Sequence, residues 1–367
     1  MRNTETTLVP DVISATHTHR LNDRLARVVN IHFDPHQGTA FWLDRQRTLG
    51  IDARKDILSI EDLPILGSMS QSDLSGRELI DFIPRRFHDQ LHRFVIAQTG
   101  GTTGDGVWTA YRDDEFKEAF VDPFVVVAKH LNFPHGEHWL FVGPSGPHII
   151  GKVVRFLSNA LESPDPFCID LDPRWIRHFD AGSFAHKRYL NHLIDQAMCV
   201  INTQTIGVLF TTPSIIESLA DHMSAEQRSR IVGIHYGGMA MPPDLLDQLS
   251  EEFPNATHLA GYGNTLFGCC LELQTTTCRQ HLDYYPMGDR LIFELVDDSG
   301  EPCTPGQIGR VRFTRLDESF LIVRFLERDM AHCVALTADP PTGFSAAGMR
   351  NPHTPEVTRS RQAGGLY

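Results

Sequence analysis

Thr-Ile-Gly-Val-Leu-Phe at 205–210, followed by Thr-Pro-Ser-Ile-Ile-Glu at 212–217, decides the fold. The first run is short and apolar, the pattern of a strand buried on both faces. The second begins a helix with proline near its first turn, where the missing N–H is not needed. Downstream, Ile-Val-Gly-Ile-His-Tyr at 231–236 reads as a strand ending in glycines, 242–252 as a helix and 256–262 as a strand. Upstream, a strand at 94–98 ends in a glycine loop at 99–106. A helix follows over 115–129, which Pro123 must interrupt or kink. Then come a buried strand at 138–142, a helix over 147–161 carrying Ile150, Val153, Val154 and Leu157, a strand at 167–171 and a helix over 189–197. Strands alternating with helices imply a mostly parallel sheet covered on both faces. Ligands of such sheets bind at the carboxyl ends of the strands.

The flanks differ. Residues 1 to about 95 read as mostly helical with loops, and Leu21, Leu25, Val28, Val29 and Ile31 fit one helical face. Beyond 275 the pattern is short strands and tight turns: 289–296, the turn Asp-Asp-Ser-Gly-Glu at 297–301, then 307–314 and 320–325. The last 30 or so residues are rich in Pro, Gly, Ala, Ser and Thr, and a flexible tail is expected. The expected class is therefore α/β: mostly parallel sheets flanked by helices, plus a small β-rich, barrel-like subdomain. The expected division is a helical or mixed part at 1–97, an α/β core at 98–274, the β-rich subdomain at 275–335 and a tail at 336–367. No internal repeat is present.

Composition excludes several classes. The formal charge of -13 argues against a nucleic-acid surface, which requires a basic face. Apolar runs such as 124–128 fall far short of the ~20 residues of a membrane span. The first residues carry no apolar signal segment, so a cytoplasmic, soluble protein without membrane or nucleic-acid partners is expected. The seven cysteines lack C-x-x-C spacing and read as free thiols. His32 with His36, and His88 with His92, lack the glutamate of H-E-x-x-H and read as solvated surface groups.

Four segments carry chemistry. Thr-Gly-Gly-Thr-Thr-Gly-Asp-Gly at 99–106 places four glycines and three threonine hydroxyls (Thr99, Thr102, Thr103) where backbone N–H groups can turn toward one oxyanion. It is neither a Walker loop nor a Rossmann fingerprint. His235-Tyr-Gly-Gly ends a strand with two glycines that let a flat ring approach the backbone. Gly261-Tyr-Gly-Asn-Thr sets Tyr262 between glycines at a strand end, with the Thr265 hydroxyl nearby. Ile322-Val-Arg-Phe-Leu-Glu-Arg-Asp ends on Asp329, a carboxylate able to accept both hydroxyls of a ribose, with Arg324 and Arg328 able to neutralise phosphate. Each alone is as readily a turn or a solvated strand end.

Taken in order, these segments resemble the core motifs of the adenylate-forming (acyl-CoA synthetase) superfamily, in its phenylacetate–CoA ligase-like branch. The resemblance spans roughly residues 60 to 335. It implies that Thr99, Gly100, Gly101, Thr102, Thr103 and Gly104 hold the ATP phosphates. Gly237, Gly238, Tyr262, Gly263, Asn264 and Thr265 would hold the adenine and the reacting carboxylate, and Asp329 the ribose. Ser145-Gly-Pro-His resembles a segment near the acyl pocket, which points to His148, Tyr236 and Gly237 as its lining. His148, Thr265 and Arg328 are the implied catalytic residues. The implied reaction joins a small, preferably aryl, acid to AMP with release of pyrophosphate, then passes the acyl group to CoA, an amine or a carrier thiol. ATP, magnesium and CoA are the implied cofactors.

The chain departs from the family twice. Leu266 stands where a glutamate helps hold magnesium, which leaves Glu272 as the candidate metal ligand. No lysine follows Lys187, whereas the family carries a C-terminal domain of ~100 residues with a lysine that contacts the adenylating carboxylate. The lysine-assisted step is then replaced, supplied by a separate partner resembling that domain, or missing. The departures keep two alternatives open: a non-catalytic ATP- or acyl-binding module, and an acyl-protein synthetase-like enzyme using a cysteine such as Cys333.

Overall fold

In the computed structural model, the described residues are 15–100, 106–176, 178–180, 182–274 and 281–355. Thirteen strands are defined among them: β1 (Phe94–Gln98), β2 (Trp108–Arg112), β3 (Trp139–Gly143), β4 (Phe167–Asp170), β5 (Val208–Thr211), β6 (Gly233–Tyr236), β7 (Thr257–Asn264), β8 (Gly268–Glu272), β9 (Asp283–Tyr285), β10 (Leu291–Val296), β11 (Ile308–Leu316), β12 (Leu321–Val334) and β13 (Gly348–His353). Eleven form one sheet in the order β10-β11-β12-β13-β9-β8-β7-β6-β5-β3-β4. From β4 to β7 the strands run parallel, and from β7 to β10 every neighbour is antiparallel.

Strand β7 belongs to both halves. Its first part pairs parallel with β6, ending at Tyr236 opposite Ala260, and its second pairs antiparallel with β8 from Gly261 opposite Leu271. Strand β7 therefore carries the chain from the carboxyl ends of the parallel strands into the antiparallel part of the same sheet. The parallel strands are buried on both sides, and their side chains alternate between two cores. Trp139, Phe141, Val208, Phe210 and Leu259 enter one; Leu140, Leu209, Ile234, Tyr236 and Ala260 enter the other. Helices such as Ile149–Ala160, Phe184–Thr203 and Pro243–Glu252 cover the faces. No helix among the described residues is long and apolar enough to cross a membrane.

Pro123 acts through a single turn. The helix runs through Asp113–Phe116, widens to a π turn over Lys117–Val121 and resumes over Asp122–His130. Proline has no N–H to return to Ala119. The Ala119 carbonyl instead faces the Cys269 thiol at 3.5 Å, and a Cβ on Gly268 would meet it at 2.7 Å.

The structure corrects three readings. A second strand, β2, lies between the glycine loop and this helix and pairs antiparallel with β1. Strand β12 continues to Val334, which puts Asp329 inside a strand and not at its end. Part of the expected tail is strand β13, paired with β12 and β9. Its Gly348 and Met349 are buried despite the polar composition around them, because the sheet supplies their backbone partners.

The halves are fastened by buried charge. Asp317 is 0% exposed; Arg290 grips both its oxygens at 2.9 Å and Arg315 Nε reaches it at 2.5 Å. Burial alone would raise the Asp317 carboxyl, but the two guanidinium groups hold it well below the usual carboxylate range. Arg315 lies 3.6 Å over the Tyr111 ring and donates to Ala110 O, Thr109 Oγ1 and Leu266 O. Asp317→Ala leaves two arginines buried without their counter-charge. We expect a loss of about 3–5 kcal/mol in urea unfolding, and an unchanged midpoint would show that the network does not hold the fold.

Candidate functional site

Beyond Gly261 the chain passes Tyr262, Asn264 and Thr265 and turns into β8. Each residue of this turn is tied. The Tyr262 hydroxyl donates to Asp329 Oδ2 at 2.7 Å, and Asn264 Nδ2 donates to Glu327 Oε1 at 2.9 Å. Leu266 N donates to Asn264 Oδ1 at 2.7 Å, closing an Asx-type turn. The Tyr111 hydroxyl donates to Thr265 O at 2.8 Å, and Arg290 donates to Phe267 O. Glu327 and Asp329 are two apart in a stretch of β12 whose pairing with β11 is irregular, and both reach this turn through these bonds. The other oxygen of Asp329 accepts from Thr354 Oγ1 at 2.8 Å. Asp329 thus already accepts from two hydroxyls, the chemistry that a ribose diol offers.

Next to this cluster lies an apolar pocket of about 650 Å³, counting its open mouth. Tyr236, Gly237, Gly238, Gly263 and Thr265 border it, and Phe120, Phe124, Ile150, Phe210 and His235 are among its walls. Space at Gly237 is tight: a Cβ would stand 3.1 Å from Phe210 and 3.3 Å from Ile150, so those side chains would have to shift. Gly238 has φ +82°, a conformation natural to glycine.

The structure gathers Gly237, Gly238, Tyr262, Gly263, Asn264, Thr265 and Asp329 at one place. Thr99 is described at the base of the hairpin, where its Oγ1 accepts from Val107 N at 3.0 Å. Gly100 follows it, and Gly101, Thr102, Thr103 and Gly104 lie outside the described residues. His148 precedes the helix Ile149–Ala160 and is buried; its neighbours Ile149 and Ile150, and not His148, line the pocket. Tyr236 borders the pocket, but its hydroxyl pairs with His258 Nδ1 at 2.7 Å within the opposite core. Arg328 is half-buried between the two carboxylates in sequence, and its charge draws Glu327 downward. Arg324 is not brought to the site: its charged neighbours are Arg312, Glu294 and Glu301.

Leu266 is 3% exposed and packs into the core, so this position offers nothing to a ligand. Glu272 is buried on β8 opposite Tyr284. Among the described residues no group of three or more His, Cys, Asp or Glu side chains is placed to hold a metal. The carboxylate oxygens nearest the pocket accept from Tyr262, Thr354 and Asn264. Cys333 is 4% exposed, and burial pushes its thiol up to about 11, which makes it unsuited as an acyl acceptor.

Sequence reasoning quoted the His235 segment without singling out His235, and it missed the pocket phenylalanines. Histidine in an apolar strand is a signal, but only the sheet shows that its ring faces the pocket.

No family model matches the sequence, and no curated protein matches it. Solved structures do match in fold. 2-Hydroxyisobutyryl-CoA ligase, in complex with 2-HIB-AMP and CoA in the thioesterification state, aligns with 95% of this chain and 72% of its own at 14% identity and a TM-score of 0.63. In the postadenylation state with R3-HIB-AMP, the same ligase aligns with 95% of this chain and 71% of its own at 15% identity and a TM-score of 0.64. In its open conformation the values are 95%, 78%, 14% and 0.62. The chain thus has the fold of an adenylate-forming ligase, an α/β structure with a large sheet flanked by helices.

Two buried acids mark the pH response. Burial and the charge of Asp317 raise Glu115 to about 7; burial and the charge of Asp329 raise Glu327 to about 7. Each acid binds its proton more tightly folded than unfolded, where the value is near 4.5. Their contribution to stability is therefore full below pH 4.5 and is lost as pH rises to about 7. Glu115→Gln and Glu327→Gln should each remove up to about one proton from the slope of unfolding free energy against pH in that window. Unfolding curves of unchanged pH dependence in both variants would contradict this assignment.

Proposed function

We propose that the chain binds ATP and joins a carboxylic acid to AMP, releasing pyrophosphate, in the manner of the phenylacetate–CoA ligase-like branch. The observation that carries the reading is the Tyr262–Asp329 pair beside an apolar pocket, where parallel strands end. The hydrocarbon part of the acid lies among Phe120, Phe124 and Phe210, and its carboxylate points toward Gly237, Gly238 and Thr265. The ribose sits at Asp329 and displaces the Thr354 hydroxyl from its oxygen. Thr99 and the glycine loop, from 99 to 104, serve the phosphates.

In the reaction a carboxylate oxygen attacks the α-phosphorus. The bond from that phosphorus to the oxygen bridging the β-phosphate breaks, and its electron pair leaves with pyrophosphate. Positioning supplies most of the acceleration. A thiol or amine then attacks the acyl carbon, AMP departs with the pair of the acyl–oxygen bond, and the nucleophile's proton is lost to solvent. CoA, an amine or a carrier protein are the acceptors; 2-hydroxyisobutyryl-CoA ligase, with the same fold, was solved with acyl-AMP and CoA.

A second reading has its own support. The packing of Leu266 into the core favours a non-catalytic nucleotide- or acyl-binding module. ATP–pyrophosphate exchange over aryl, hydroxy and short aliphatic acids separates the two. We expect exchange with at least one acid; nucleotide binding without exchange for any acid would establish the module. Asp329→Ala should raise the KM for ATP by about 10- to 100-fold through loss of a charge-assisted hydrogen bond, and an unchanged KM would remove Asp329 from the ribose site. Gly237→Ala should raise the KM for the acid by about tenfold with little change for ATP, because its Cβ narrows the pocket.

A further inference from the structure

The pocket walls are mostly apolar side chains. Three side chains along them carry polar atoms of interest: Thr265 at the mouth, Cys269 and His235. The Cys269 thiol is directed at the Ala119 carbonyl, 3.5 Å away, and burial pushes it up to about 12. His235 differs. Its Nδ1 stands 3.0 Å from Leu259 O, and a carbonyl can only accept, so Nδ1 carries the proton. Burial lowers the ring to about 4, so the imidazole is neutral at pH 7 and Nε2 holds a lone pair. Phe124 at 4.8 Å and Phe210 at 4.5 Å hold the ring in place. Among the described residues, only Nδ1 of this ring has a hydrogen-bond partner. His235 is 7% exposed, and it lines the pocket.

The geometry points to His235 Nε2 as the acceptor for a neutral hydrogen-bond donor carried on the body of the substrate acid. His235 is on β6, two residues before Gly237, which follows the end of that strand, so the donor sits roughly 6–7 Å from Gly237 along the strand direction. The acid is then one with a hydroxyl or amino group at about that distance from its carboxylate. An unsubstituted acid leaves a desolvated lone pair without a partner. A second carboxylate sets acceptor against acceptor. The inference rests on the pocket being the acyl site.

Calorimetric titration of the whole chain with two acid pairs tests it: 4-hydroxybenzoate against benzoate, and 5-hydroxypentanoate against pentanoate. We expect at least one hydroxy acid to bind about 10- to 100-fold more tightly than its parent. In His235→Phe that ratio should fall to near 1 while the parent acid still binds, and His235→Gln, which keeps an acceptor, should retain part of it. Thermal melting verifies folding, and His235→Leu replaces the Phe variant if the larger ring does not fit. Neither hydroxy acid binding more tightly than its parent, or an unchanged ratio in the Phe or Leu variant, overturns the inference. Because titration reads acid binding without turnover, failed pyrophosphate exchange would sink adenylation and leave this result standing. A flat ratio alongside successful exchange would do the reverse.

Discussion

A carboxylate with no exposed surface, Asp317, holds two guanidinium groups in the centre of the molecule. Burying one such charge alone would be very costly, so each partner is kept where the other needs it. The geometry spreads outward from this point. Arg315 fastens the β2 strand through Thr109 and Ala110, and it reaches the turn before β8 through Leu266. Arg290 holds the same turn through Phe267, and Arg24 joins the helix Ala15–His32 through Leu316 O and Glu118. A fully satisfied polar network in a low-dielectric core specifies one arrangement more than it adds stability. Here the arrangement it specifies is that of the Tyr262–Thr265 turn.

That turn sits where the sheet changes character. Up to Ala260, β7 is a parallel strand with apolar side chains on both faces; from Gly261 it is antiparallel and opens a cleft. Strands β5 and β6 of the parallel half and β8 of the antiparallel half line the pocket, and β12 of the antiparallel half supplies Glu327 and Asp329. Neither half forms the site alone. Gly237 at the mouth leaves room beside Phe210 and Ile150.

Much of this was legible. The helix–strand alternation from 94 to 262 appears in the structure nearly element by element, because runs such as Val208–Thr211 can only be buried strands. Gly237, Gly238 and the Tyr262–Thr265 segment, far apart in sequence, lie together in the structure. Other features were not legible for local reasons. Strand β2 carries Trp108 and Tyr111 beside a glycine loop, and a five-residue strand has too little pattern to declare itself. Strand β13 is polar, and only its pairing with β12 and β9 defines it. Arg324 and Asp329 are five apart on one strand, yet irregular pairing between β11 and β12 and a φ of +47° at Arg324 accompany their separation into different surroundings.

The sequence by itself determined the α/β class and the strand-end motifs, because periodicity and residue chemistry are local properties. Only the tertiary structure decided which groups meet. It placed Tyr262 against Asp329 across 67 residues, sank Leu266 and Cys333 into the core, and turned the His235 ring, and not the Tyr236 hydroxyl, toward the pocket. The reason is the two-residue period of a strand inside a two-sided sheet: neighbours in sequence face opposite cores, and the sheet order settles which core holds the cavity.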